Sequence, residues 1–198
     1  MKKPLKLRYI GDPVLVTKAK EIPEITDEIR ELSAEMIQLM YRSNGVGLAG
    51  NQIGLAQKIV VIHVDAPEDK DGTPLPLETP GEQFLYPKMP ITLINPEIVE
   101  YSEEQCGYEE GCLSVPKLYG NVLRSKNVVL KSKLLDGSDF MLECGGFLAR
   151  AIQHELDHLD GIVFVEKAET EDYEKIRPAV EKMIKKNGFK NFKVRRRV

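Results

Sequence analysis

Cysteine, histidine and long apolar runs are all scarce in this chain, and each scarcity removes a class of protein. Three cysteines (Cys106, Cys112, Cys144) are too few, and odd in number, for a disulfide framework, so free thiols or a metal ligand and a reducing compartment are expected. No apolar run approaches the roughly 20 residues that cross a bilayer, and Met1-Lys2-Lys3-Pro4 does not lead into the apolar stretch of a signal peptide. A cytoplasmic protein with no membrane contact is expected. Only three histidines are present, His63, His154 and His158, so any imidazole chemistry must draw on these. No internal repeat is visible.

What remains is enough for one compact domain over residues 1–198, with 42% hydrophobic residues to fill a core. The net charge of −3 hides an asymmetry. Residues 182–198 carry eight Lys/Arg and no Asp/Glu, which leaves 20 Lys/Arg against 31 Asp/Glu elsewhere, or −11. Such a basic tail is either a solvated terminus or a contact for phosphates, which it would attract by counterion release.

Ile25, Ile29, Leu32, Met36, Ile37 and Met40 fall three or four apart, which predicts an amphipathic helix capped by Thr26 or Asp27 and ended by Ser43-Asn44-Gly45. Gln57 to Val64 reads as a buried strand, and Asp65 to Pro90 as a long surface loop. Further strands are expected at 91–94, 97–101, 127–135 and 140–144, with Asp136-Gly137 as a hairpin turn. Gly145-Gly146 opens a helix in which Phe147, Ala151, His154 and His158 share one face, and Gly161 closes it. A last helix is expected to begin near Pro178, because proline suits a first turn. The fold class is α+β: mixed or antiparallel β-structure around a central histidine-bearing helix, with an N-terminal and a C-terminal helix.

The strongest chemical signal is His154-Glu155-Leu156-Asp157-His158. Two histidines four apart on a helix grip one ion, and the intervening Glu155 reaches a water beside it. The apolar neighbours Ile152, Leu156 and Leu159 argue for a buried helix, where unpaired imidazoles would be costly. A catalytic site of this kind takes three protein ligands. No histidine follows His158, so the third is a downstream glutamate (Glu166, Glu169, Glu171 or Glu174) or Cys112, and spacing alone does not choose. His63, in an apolar strand, reads as a hydrogen-bonded core residue, and Cys106 and Cys144 as structural.

Three segments taken together, Gly45-Val46-Gly47-Leu48-Ala49-Gly50-Asn51-Gln52, Glu110-Gly111-Cys112-Leu113-Ser114 and His154-Glu155-Leu156-Asp157-His158, resemble the signature motifs of the peptide deformylases. Arg8 to Leu15 is similar too, so the resemblance runs from near residue 6 to about 166. It implies one divalent metal ion, natively Fe²⁺ with Zn²⁺ as the alternative, held by Cys112, His154 and His158. It also implies hydrolysis of the formyl group from an N-formylmethionyl peptide, water on the metal attacking while Glu155 serves as base and then acid. The Gln52 amide and the Leu113 backbone N–H would stabilise the oxyanion. Bare backbone at Gly45 and Gly47 would lie against the substrate, and Val46, Phe147 and Ala151 are candidates for the methionine pocket. Glu110 would orient the site or bind substrate, with an Asp157–Arg124 ion pair in support.

Departures from the usual pattern bear on specificity. Gly50-Asn51 is expected to loosen the turn before Gln52, Arg150 to put a charge at the methionine pocket, and Tyr108, Tyr119 and Gly120 to alter contacts beyond the first residue. The basic tail would hold the protein near ribosomal RNA. The rival readings are a zinc endopeptidase using a downstream glutamate, and a non-catalytic protein that binds metal or nascent chains.

Overall fold

The computed structural model describes residues 4–187, 192 and 194–197. Its spine is β2 (Ile59–Ile62), whose four residues are all buried because the strand is covered on both faces. Ile59 and Val61 point to one side, where Met36, Leu39 and Met40 of α1 (Asp27–Arg42) meet them. Val60 and Ile62 point to the other, against Leu148, Ala149, Ile152 and Leu156 of α3 (Gly146–Leu159). The period of two in the strand thus places one helix on each face.

Around that spine runs a five-stranded antiparallel sheet in the order β1-β2-β3-β6-β7, with β1 (Gly47–Ala49), β3 (Ile91–Tyr101), β6 (Val128–Lys133) and β7 (Asp139–Cys144). The segments 91–94 and 97–101 are one strand, because irregularities between Ile94 and Glu97 and between Ile98 and Glu100 bend β3 without ending it. A separate hairpin, β4 (Gln105–Cys112) and β5 (Val115–Ser125), carries Cys112 at its tip. It packs on a third core cluster, in which Val115 and Val122 meet Phe164 and, from α4 (Thr170–Lys186), Val180.

Two local expectations are corrected. The stretch 65–90 is not all loop, because α2 (Pro80–Leu85) forms inside it. Thr79 and Glu82 cap its start reciprocally: Thr79 N–H donates to Glu82 Oε2 at 2.8 Å and Glu82 N–H to Thr79 Oγ1 at 3.3 Å. The last helix starts at Thr170, not near Pro178, which lies inside it. Pro178 and Glu174 are both exposed, so the Glu174 carbonyl that proline leaves without an N–H partner meets solvent.

The basic tail is described in part; residues 188–191, 193 and 198 lie outside the described residues. Arg196 donates to the Val165 and Ala168 carbonyls and stacks on Tyr173, and Arg197 pairs with buried Glu166 at 3.1 Å. Both arginines are docked on the body, with the Arg197 side chain still exposed. Among the described residues, no helix is long and apolar enough to cross a membrane.

Candidate metal centre

Cys112 Sγ and one ring nitrogen each of His154 and His158 lie within 4.8 Å of one another. A register shift between Gly111 and Cys112 ends the regular pairing of the hairpin at this point, and Cys112 Sγ sits 3.2 Å from His158 Nε2. The downstream glutamates are engaged elsewhere: Glu166 with Arg197, Glu171 with Lys175, Glu174 with Arg177, and Glu169 through its N–H with the Asn121 carbonyl. Of the candidates that spacing left open, Cys112 is the one that the fold brings within 4.8 Å of both imidazoles among the described residues.

The electrostatics suit a cation. Burial opposes ionisation of Cys112, but the neighbouring His158 and His154 outweigh it and hold the thiol well below its usual range, which favours the thiolate. Burial also opposes the charged form of His154, yet hydrogen bonds to Cys112 and Glu110 push its pKa up to about 10. Thiolate with two imidazoles is a donor set for Zn²⁺ or Fe²⁺ and a poor one for Mg²⁺ or Ca²⁺.

Glu110 stands behind the centre. It accepts from His154 Nδ1 at 2.9 Å, from Arg124 at 2.6 and 2.8 Å, and from Arg150 Nη1 at 2.7 Å. Against the opposing effect of burial, the hydrogen bonds from Arg124 and His154 keep its carboxyl far below the carboxylate range. Its bond to Nδ1 leaves Nε2 of His154 for the ion, the usual way an outer carboxylate fixes a ligand's tautomer. Arg124 also donates to Asp157 at 2.8 Å, as the sequence led us to expect, and Asp157 in turn accepts from Lys167 at 2.6 Å. Lys167 escaped the sequence reading because nothing in its neighbourhood marks a partner ten positions back.

Glu155 is 4% exposed, and its Oε2 has no hydrogen-bond partner among the described residues. A buried, unpartnered carboxylate oxygen is a place for water or substrate. Burial pushes its pKa up to about 7. Gly47 makes room for it: a Cβ there would lie 2.7 Å from Glu155 Cδ and closer still to Oε1. The bareness of Gly47 thus serves the carboxylate as well as any substrate backbone. Gly47→Ala is expected to displace Glu155 and lower kcat/KM about 100-fold without loss of bound metal, which steady-state kinetics beside metal analysis will check.

Gln52 is held so that its amide donor faces the thiolate. Its Oε1 accepts from Ala49 N–H at 2.8 Å, which orients Nε2 toward Cys112 Sγ and Ser114 Oγ, each at 3.4 Å. Ser114, buried and donating its N–H to Cys112 Sγ at 3.4 Å, was missed in the sequence although it closes the second motif. The turn before Gln52 is tight, contrary to the expected loosening. Asn51 Nδ2 donates to the Val14 and Thr17 carbonyls, and a Cβ on Gly50 would meet the Leu55 carbonyl oxygen at 2.8 Å.

A cavity of about 760 Å³ opens onto this centre. Gln52, Glu110, Cys112, His154 and Glu155 line it, as do Val46, Gly47, Leu113, Phe147 and Ala151. Val46 and Phe147 are rim residues, 47% and 46% exposed, whereas Ala151 is buried. His158 lies behind, 1% exposed. Tyr108 and Tyr119 are exposed on the lining. Arg150 lines the cavity as expected, where it is buried and paired with Glu110. His63 is not a core residue but half-buried, with Nδ1 2.6 Å from Tyr41 Oη, and stands outside the cluster.

The family model described as polypeptide deformylase matches residues 4–174. A peptide deformylase of Picosynechococcus sp. is 39% identical over 186 residues, covering 94% of this chain and 87% of the relative. Among solved structures, a peptide deformylase from Synechococcus elongatus in complex with actinonin aligns with a TM-score of 0.72 at 34% identity, over 96% of this chain and 92% of that one. A plant peptide deformylase aligns with 0.78 at 30% identity, over 96% and 95%. With the motifs, the fold and these likenesses in agreement across nearly the whole length, the chain belongs to the polypeptide deformylase family.

Proposed function

We propose that this protein, acting as one domain, removes the formyl group from the N-terminal formylmethionine of new polypeptides, with Cys112, His154 and His158 holding Fe²⁺ natively and accepting Zn²⁺. The observation that carries the reading is an unpartnered, buried Glu155 carboxylate beside a thiolate–imidazole cluster at the floor of a peptide-sized cavity. A divalent cation there supplies Lewis acidity, making water a stronger acid and a carbonyl a better electrophile.

The chain's own residues do the rest. Glu155 takes a proton from the water that adds to the formyl carbon, then delivers it to the amino nitrogen as the C–N bond breaks and formate leaves. The Gln52 amide, preset by its bond to Ala49 N–H, donates to the developing oxyanion, with the Leu113 N–H at the hairpin tip as its partner. Gln52→Ala is therefore expected to lower kcat by about 10²- to 10³-fold with KM and metal content little changed, read by initial rates on a formylated peptide. Val46, Phe147 and Ala151 take the methionine side chain, and Gly47 together with Glu110 borders the substrate.

In this reading the enzyme works in the cytoplasm. A contact with ribosomal RNA would run through the basic tail, about 182–198, in which Lys182, Lys185 and Lys186 on α4 and Arg195 are exposed. The decisive experiment is formate release from formyl-Met-Ala-Ser by protein purified without oxygen. Metal-loaded protein that releases no formate would remove the proposal and return the non-catalytic binding role to the front.

A further inference from the structure

The cavity wall contains a buried guanidinium with one donor unspent. Arg150 is 6% exposed and lines the cavity beside Ala151 and Phe147. Nη1 donates to Glu110 Oε1 at 2.7 Å and to the Val122 carbonyl at 3.1 Å; Nη2 donates to the Cys106 carbonyl at 2.6 Å and to Cys106 Sγ at 3.2 Å. A guanidinium has five N–H groups, two on each Nη and one on Nε. The four bonds use both Nη groups, and Nε has no hydrogen-bond partner among the described residues. Tyr108 lies over the guanidinium at 5.5 Å and meets Phe147 edge to face at 6.2 Å, so an aromatic pair walls the same space. Nε is not among the fully buried atoms left without a partner, so it is open to water or to a ligand that enters the cavity.

We infer that the Arg150 Nε–H is a specificity determinant in the first-residue pocket, one that favours an unbranched side chain with an acceptor near its end and admits formylmethionine sulfoxide as well as formylmethionine. The inference rests on the deformylase reading of the site. A thioether sulfur is a weak acceptor and a sulfoxide oxygen a strong one, whereas norleucine offers a methylene in the same place. In a wholly apolar pocket the sulfoxide would be rejected because its oxygen would lose water without replacement. With a fixed charged donor that loss is offset, and the donor's contribution corresponds to about 10- to 100-fold. Oxidised initiator residues thus remain substrates.

The test compares kcat/KM for formyl-Met-Ala-Ser, its methionine sulfoxide analogue and its norleucine analogue in wild type, Arg150→Leu and Arg150→Lys, with thermal melting and metal content measured on each. Lysine keeps a cation beside Glu110 but has a methylene where arginine has Nε, so it carries the reading even where leucine impairs folding. Glu110 also keeps Arg124 and His154 as partners in both variants. Wild type is expected to cleave the sulfoxide peptide within about tenfold of the methionine peptide, and both variants to lower the sulfoxide-to-norleucine ratio by about 10- to 100-fold, through KM. A ratio unchanged in folded, metal-loaded Arg150→Lys overturns the inference and leaves the deformylase reading intact. No formate from any of the three peptides overturns that reading itself.

Discussion

Glu155→Ala is expected to keep its metal and to lose about 10²- to 10⁴-fold in kcat/KM on a formylated peptide, the usual contribution of a positioned acid–base group. Metal retention follows from the ligand set, which does not include Glu155. The loss follows from its place, with Oε2 buried and unpartnered and Gly47 too close to allow another position. The pH profile adds a second signature. Burial pushes the carboxyl up to about 7 from 4.5 in the metal-free chain, and a cation between Cys112 and the histidines pulls it back down. A base must be unprotonated, so kcat/KM of the loaded enzyme should rise with pH through a limb between 4.5 and 7, and residual Glu155→Ala activity should lack that limb. Stability of the metal-free protein moves the other way. A raised carboxyl pKa means that the folded chain holds the proton more tightly than the unfolded chain. Its contribution is complete below 4.5 and is lost as pH rises through about 7. Glu155→Gln should therefore raise Tm of the metal-free protein more at about pH 8 than at about pH 5. Parallel shifts at both pH values would contradict the burial argument.

The parts of the site that lay on one element were legible in the sequence, and those that needed a second element were not. His154, Glu155 and His158 share a helix, so spacing alone brought them together. Cys112 became the third ligand only with the family resemblance, because its distance from the helix is set by a hairpin that the sequence did not announce. Gln105–Cys112 is polar and Glu110 is its one buried residue, so the strand leaves no apolar period of two to read. The six residues of α2 are likewise too short for a helical period, although the Thr79–Glu82 cap was there to be noticed. Pro178 was over-weighted as a helix start, since on an exposed face its missing N–H costs less than in a packed interior. Arg150 shows the same limit in another form. The sequence displays a charge at a pocket position, but its neutralising partner, Glu110, is 40 residues upstream, and only the fold shows that two guanidiniums share one carboxylate.

Cys112→Ala is expected to have the largest effect of all, abolishing both metal retention and formate release. Changing an outer partner such as Glu110 costs about 10- to 100-fold in metal affinity or activity; deleting one of three ligands must exceed that. It removes the only anionic donor of the cluster and leaves His154 and His158 to hold a dication through neutral nitrogens. Two imidazoles outweigh the penalty that burial sets on ionising Cys112, so thiol and histidines are one electrostatic unit and lose affinity together. Metal content after dialysis, measured beside activity, separates this from a folding defect when the variant's melting curve is recorded at the same time. Cys112→Asp sharpens the comparison, since a carboxylate restores the negative charge but not the soft sulfur, and should recover part of the metal with a shift in which ion is kept. Retention of metal and activity by Cys112→Ala would move the third ligand to another residue and reopen the glutamates after the helix, with Glu166→Ala as the next variant to measure.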